Sequence, residues 1–249
     1  MRVTVALALA VTGLIPVPVS AAAAPSRFTI PASALQLVVV SSPTYDPPQY
    51  LASLRTYRRA SASSPWTIVF PAWQAEIGSG ELRDVRREGD HATPTGVFAF
   101  GATMYGNQQN PGGLHEPFHH LVCGDWWDED PFSSTYNEFV HAACGSTPPF
   151  AAWSEALWTE EPAYPYFAVI DYNEHPTIAG ALAPGSGIFL HAWVHGPTEG
   201  CVALPVPELL HVLRWLEPSD HAVIEIGTVA EVGRQPSLPA GVPSSAAQR

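Results

Sequence analysis

Lysine is absent from this chain. All 11 basic residues are arginine, they face 23 acidic residues, and the formal net charge is −12 over 249 residues. A chain so short of positive charge lacks what phosphate binding requires, which excludes a nucleic-acid or anionic-membrane partner. The missing lysine is itself a compositional habit and assigns no function. Cysteine is scarce: Cys123, Cys144 and Cys201 are the whole set. In an oxidising compartment an odd count leaves one thiol unpaired. Long apolar runs are lacking too. Val3 to Ile15 is apolar but falls short of the ~20 residues that span a bilayer, and no other run is long enough. Hydrophobic residues still make up 46% of the chain, which suits a packed core and argues against disorder.

What is present begins with a targeting pattern. Met1-Arg2 carries one charge, Val3–Ile15 is the apolar core, and Ser20-Ala21-Ala22-Ala23-Ala24 offers small-residue cleavage sites. Residues 1–24 therefore read as a signal peptide, and the mature protein as secreted to the cell wall or extracellular space. The folded domain is expected over 25–233. The Pro-, Ser- and Ala-rich segment 234–249 reads as a frayed tail. Cys123 and Cys144 each sit beside a glycine and are expected to pair. Closing a loop of roughly 20 residues stabilises by ~3 kcal/mol in the chain-entropy model. Cys201 is then the free thiol, and an exported free thiol is oxidised unless it is used.

The periodicity is mostly that of strands. Leu35–Val40, Tyr50–Arg59, Trp66–Phe70, Trp73–Ile77, Thr95–Gly101, Phe167–Asp171, Gly187–His191 and Ala222–Ile226 are short β-rich runs between Pro, Gly, Ser and Asp turns. Residues 103–165 have few periodic segments, which in a loop of that length points to function or cross-linking. One helix is expected over Pro205–Glu217. A proline suits its first turn, Leu209, Val212, Leu213 and Leu216 share one face, and Pro218 ends it. The fold class is mainly β (α+β), a single sandwich-type domain with one late helix.

The chemistry concentrates in Gly187–Pro205. A thiol attacks carbonyls as thiolate, and its ordinary pKa leaves little of that form at neutral pH. An imidazole can take the proton and return it to a leaving amine. His191 ends a predicted strand and lies ten residues before Cys201, so a loop can bring the two together. Cys201 is read as nucleophile and His191 as base, with His195 the competing base. Gly200 allows the sharp turn and backbone N–H groups near a developing oxyanion. Thr198, His195 and Trp193 in the same loop are candidate substrate contacts.

This segment resembles the catalytic motif of the L,D-transpeptidase (YkuD-type) family, which runs from a strand-end His through Ser/Thr-x-Gly-Cys to an apolar residue. Here those are His191 and Thr198-Glu199-Gly200-Cys201-Val202. Upstream, Gly89-Asp90-His91-Ala92-Thr93-Pro94-Thr95-Gly96 resembles the family's Gly-Asp-x-x-Thr-Pro-x-Gly. Asp125–Pro131 through Tyr136-Asn137 is a looser match to exported actinobacterial members. The resemblance implies a YkuD-like β-sandwich and attack by Cys201 on the third residue of a peptidoglycan stem tetrapeptide. D-alanine leaves, and an amine of a neighbouring stem resolves the thioester as a 3→3 cross-link. It implies no metal and no cofactor, peptidoglycan stem peptides as partners, and a backbone carbonyl orienting the histidine. The chain is read as a monomer.

Three departures bear on specificity. The His-to-Cys loop is short, Glu199 replaces a common His, and Ala203 stands where an Arg is common. Arg83, Arg86 or Arg87 offers a compensating charge, although a solvated basic edge is the favoured reading of the three. Water as acceptor would make the same site an L,D-carboxypeptidase, and another cell-wall cysteine peptidase is a second enzyme reading. A non-catalytic wall-binding module of the same fold predicts an occluded or oxidised Cys201.

Other clusters are weaker. His115, His119 and His120 near Glu116 approach zinc-ligand spacing, but Pro117 breaks the helix that spacing requires. Trp126, Trp127, Trp153 and Trp158 suit a core better than a glycan groove. Asp125, Asp128, Glu129 and Asp130 crowd one loop without the separation of a glycosidase pair.

Overall fold

The computed structural model describes residues 27–151 and 153–232. The signal-peptide segment 1–24 and the tail 234–249 lie outside the described residues. The main sheet has ten strands. Apart from the short strands Thr67–Ile68 and Phe118–His120, these are β1 (Gln36–Ser42), β2 (Leu51–Arg58), β3 (Trp73–Glu76) and β4 (Gly96–Gly106). The others are β5 (Phe167–Ile170), β6 (Phe189–Ala192), β7 (Val202–Leu204) and β8 (Val223–Thr228). They pair in the order β1-β8-β4-β5-β6-β7-β3-β2, and β2 pairs back onto β1. The sheet therefore closes on itself. β1–β8 and β6–β7 are parallel, and the other pairs in this circuit are antiparallel. Closure leaves these strands no free edge to aggregate.

Alternation along each strand sorts the core into faces. Val38, Val40, Leu54, Ile170, Leu190, Leu204 and Ile224 form one cluster with Leu209, Val212 and Leu213 of helix α1 (Val206–Trp215). Burying one such side chain contributes about 1.5–3 kcal/mol. The opposite faces of β5 and β6, through Phe167, Val169 and Phe189, meet Leu121, Trp127, Leu157 and Tyr164. These last four belong to the irregular segment 107–165, which thus caps the outer face of the sheet. The cap has its own three-stranded sheet, with Asp125–Trp127 between Phe139–His141 and Glu155–Ala156.

The mainly β, α+β expectation describes the chain, and the helix falls within its predicted bounds. Two strands differ. Only Thr67–Ile68 of the predicted Trp66–Phe70 is strand, because Trp66 turns inward under the Arg59 guanidinium, 4.4 Å from its ring. β4 runs five residues past Gly101, where a strand end was expected. A Cβ on Gly101 would lie 3.0 Å from that of Val169, so the glycine serves close strand approach rather than a turn. A second helix, α2 (Val229–Val232), follows β8.

Candidate active site

Register places the two reactive side chains together. β6 and β7 lie side by side with Leu190 opposite Val202 and His191 opposite Ala203. Leu190, Ala192, Val202 and Leu204 face the interior. Phe189, His191, Cys201 and Ala203 therefore share the outer face, beneath the cap. Tyr164 of the cap packs its ring edge-on to His191 at 5.4 Å and to Phe189 at 5.7 Å. It belongs to the same buried cluster as Cys201.

The turn before β7 is held from two sides. The hydroxyl of Thr198 donates to the Cys201 carbonyl at 2.8 Å, and that of Thr93 reaches the same oxygen at 3.3 Å. Gly200 has φ +126°, and a Cβ there would lie 2.7 Å from the Ala92 carbonyl oxygen. Any other residue is excluded by both conformation and space. Its N–H donates to Thr198 Oγ1 at 3.2 Å, so Gly200 serves the turn. Asp90 accepts the N–H groups of Arg87 and Ala92 and pairs with Arg86. The two stretches Gly89–Gly96 and Thr198–Val202 thus meet in space, the first bracing the second.

The electrostatics are those of a neutral resting pair. The Cys201 thiol is 6% exposed and donates to the Gly187 carbonyl at 3.3 Å, while the Phe189 N–H points at its sulfur at 3.3 Å. Burial, then the Glu155 carboxylate, push the thiol pKa well above its ordinary value. Phe189 N–H and Arg86 pull the other way, and Glu129 adds to the rise. Burial lowers His191 to about 4, against the pull of the Ala192 and Ala163 carbonyls. Its Nδ1 lies 2.8 Å from the Ala192 carbonyl oxygen. A carbonyl can only accept, so the proton sits on Nδ1 and Nε2 is left as the basic nitrogen. No hydrogen bond joins Cys201 to His191 among the described residues. Two clefts of about 280 and 340 Å³ flank β4, and Cys201 lines neither.

A family model for the L,D-transpeptidase catalytic domain, YkuD, matches residues 62–226. The chain belongs to this family. Cysteine-dependent transpeptidases and peptidases make up the YkuD family, and the matched residues include the Cys201 turn. Among solved structures, the chain is similar to the helical cell shape determining protein Pgp2 (K307A mutant) from Campylobacter jejuni. The identity is 14% and the TM-score 0.36, over 78% of this chain and 47% of that one. The chain thus spans about half the length of that protein. No curated protein matches it.

The remaining candidates separate within this YkuD domain. His195 is exposed, has φ +61°, and packs with its ring tilted 36° to that of Trp193 at 5.4 Å. Cys123 and Cys144 are bonded and Cys201 is free. The solvated-edge reading of the arginines holds for Arg83 and Arg87 but not for Arg86, which is 2% exposed. His115 pairs with Glu217, His119 with Asp125, and His120 with the Gln108 carbonyl. Among the described residues no group of His, Cys, Asp or Glu is arranged to hold a metal. Trp126 packs edge-on against Trp158, Trp127 lies 5.0 Å from Phe189, and Trp153 is exposed. Asp125 and Asp128 are spent on hydrogen bonds within the cap. Tyr164, Glu155 and Thr93 lie around Cys201 and His191 and were not singled out from the sequence, and Glu129 was weighed only as a glycosidase carboxylate. Only Thr93 had a signal, its place in the Thr-Pro step of the upstream motif.

Proposed function

We propose that this chain is an exported peptidoglycan L,D-transpeptidase working through a thioester on Cys201. The observation that carries the reading is the placement of Cys201 and a neutral His191 with fixed Nδ1 on one face of adjacent strands. A neutral imidazole is ready to accept a proton at neutral pH. Nε2 of His191 takes the Sγ proton as sulfur attacks the carbonyl carbon of the third stem residue. The tetrahedral oxyanion collapses, the C–N bond to D-alanine breaks, and the imidazolium returns the proton to the leaving amine. An amine of a second stem then attacks the thioester carbonyl and passes its proton to His191. The C–S bond breaks, the sulfur takes that proton back, and a 3→3 amide remains.

Export is supported by the Cys123–Cys144 bond, which persists in oxidising compartments. The test is incubation with tetrapeptide muropeptides followed by mass spectrometry. Loss of D-alanine with dimer formation is expected. Tripeptide monomer alone would make the enzyme an L,D-carboxypeptidase. A non-catalytic module also accommodates the enclosed thiol, and no product at all would favour it.

A further inference from the structure

Gly187 and Gly200 flank the thiol, and they and Gly185 each make room for a charged side chain. Gly185, Gly187 and Gly200 have φ of +121°, +60° and +126°. A Cβ on Gly185 would lie 3.1 Å from Arg86 Cζ and Nη1, and one on Gly200 would lie 3.3 Å from Arg86 Nη2. A Cβ on Gly187 would lie 2.6 Å from Glu129 Oε1. Gly200 precedes the nucleophile, and the Gly187 carbonyl accepts the thiol. The guanidinium is thus seated between the two backbone segments that flank Sγ.

Arg86 is an expensive residue to bury, since its charge is lost from water and must be matched. Its structural partner is Asp90, whose Oδ1 accepts Nε and Nη2, both at 3.0 Å. That contact leaves Nη1 buried with no hydrogen-bond partner. A purely structural pair has no use for an unspent buried donor. Ala203 follows the nucleophile by two residues, the cap brings Glu129 and Glu155, and Arg86 is the cation that acts on the thiol.

Resting on the acyl-transfer reading above, we infer that Arg86 is a positioning residue that stabilises the negative charge passing from Cys201 sulfur to the substrate oxygen. It does so from beneath the turn, without touching substrate. In a water-poor site a fixed cation acts on a nearby charge far more strongly than in bulk water. Glu155, Glu129, Tyr164 and His191 are the other ionisable groups on Cys201 and its face. None supplies positive charge while His191 is neutral.

The test is the rate of Cys201 alkylation by iodoacetamide at pH 8, followed by intact-protein mass with the disulfide left oxidised. The reagent is uncharged, so the rate follows the thiolate fraction, and one pKa unit is about tenfold. Arg86→Met should slow alkylation about tenfold, whereas Arg86→Lys, which keeps the charge, should stay within about threefold of wild type. Asp90→Asn, which leaves the guanidinium unneutralised, should speed it. Equal slowing by Met and Lys, or slowing by Asp90→Asn, would overturn the inference and leave a packing role. If Arg86→Met fails to fold, the sign of the Asp90→Asn effect still decides. None of these rates needs a peptidoglycan substrate. A failure here therefore leaves the Cys201 reading standing, and only turnover by Cys201→Ala would remove that.

Discussion

The closed sheet and the cap over it fix the same site by different means. In the sheet, Cys201 and His191 are placed by the register of two parallel strands, with alternation sending both to one face. In the cap, Tyr164, Glu129 and Glu155 are placed by local turns, a three-stranded patch and one disulfide. The sheet carries the Cys201 thiol and the His191 imidazole. The cap packs over them, and burial holds both neutral at rest. Reactive groups can sit on a rigid frame while their reactivity is set by a separately held segment.

Breaking the sheet's half should cost most. His191→Ala should lower the acylation rate about 10³-fold, while His195→Ala should stay within about threefold, measured by single-turnover mass spectrometry. The reverse pattern would move the base into the loop. Breaking the cap comes next. Replacing both Cys123 and Cys144 by Ser should cost ~3 kcal/mol in chemical unfolding and speed alkylation of Cys201. Unchanged alkylation would show that the bond does not hold the cover. A smaller effect should follow from the brace between sheet and turn. Thr93→Val or Thr198→Val removes the hydrogen bond to the Cys201 carbonyl and the acceptor of the Gly78 or Gly200 N–H, and should cost about 2 kcal/mol.

The smallest effect sharpens the contrast through pH. His191 is lowered from 6.5 to about 4 in the folded state, so its contribution to stability is present above 6.5 and lost as pH falls to about 4. Glu155 is raised by burial from 4.5 to about 8, so its contribution is present below 4.5 and lost as pH rises to about 8. Glu174 and Glu225, also raised by burial to about 8, share that slope, so unfolding titrations of Glu155→Gln should show a shallower alkaline slope and an unchanged acid one. A variant that keeps both slopes would place the alkaline slope on another group.

The frame was largely legible because its signals are local. The β-rich runs and the proline-bounded helix each announce themselves within a few residues, and Thr-x-Gly-Cys marks its own turn. The free status of Cys201 followed from counting cysteines. The cap was not legible, since its residues carry no period. Tyr164 lies between two prolines, and Glu155 contacts it through a single 2.6 Å hydrogen bond. Glu129 sat in an acidic run weighed only as a glycosidase pair, yet it fills the space left by Gly187. Arg86 was misread for the same reason: three arginines within five positions suggested an exposed edge, and only the glycines at 185 and 200, a hundred residues on, admit one of them to the interior.

The most direct test of the account is the mass of the intact protein after brief exposure to a tetrapeptide muropeptide. Wild type should gain the mass of the donor less D-alanine, at Cys201 by peptide mapping, and Cys201→Ala should gain nothing. An adduct on any other residue, or turnover by Cys201→Ala, would contradict it.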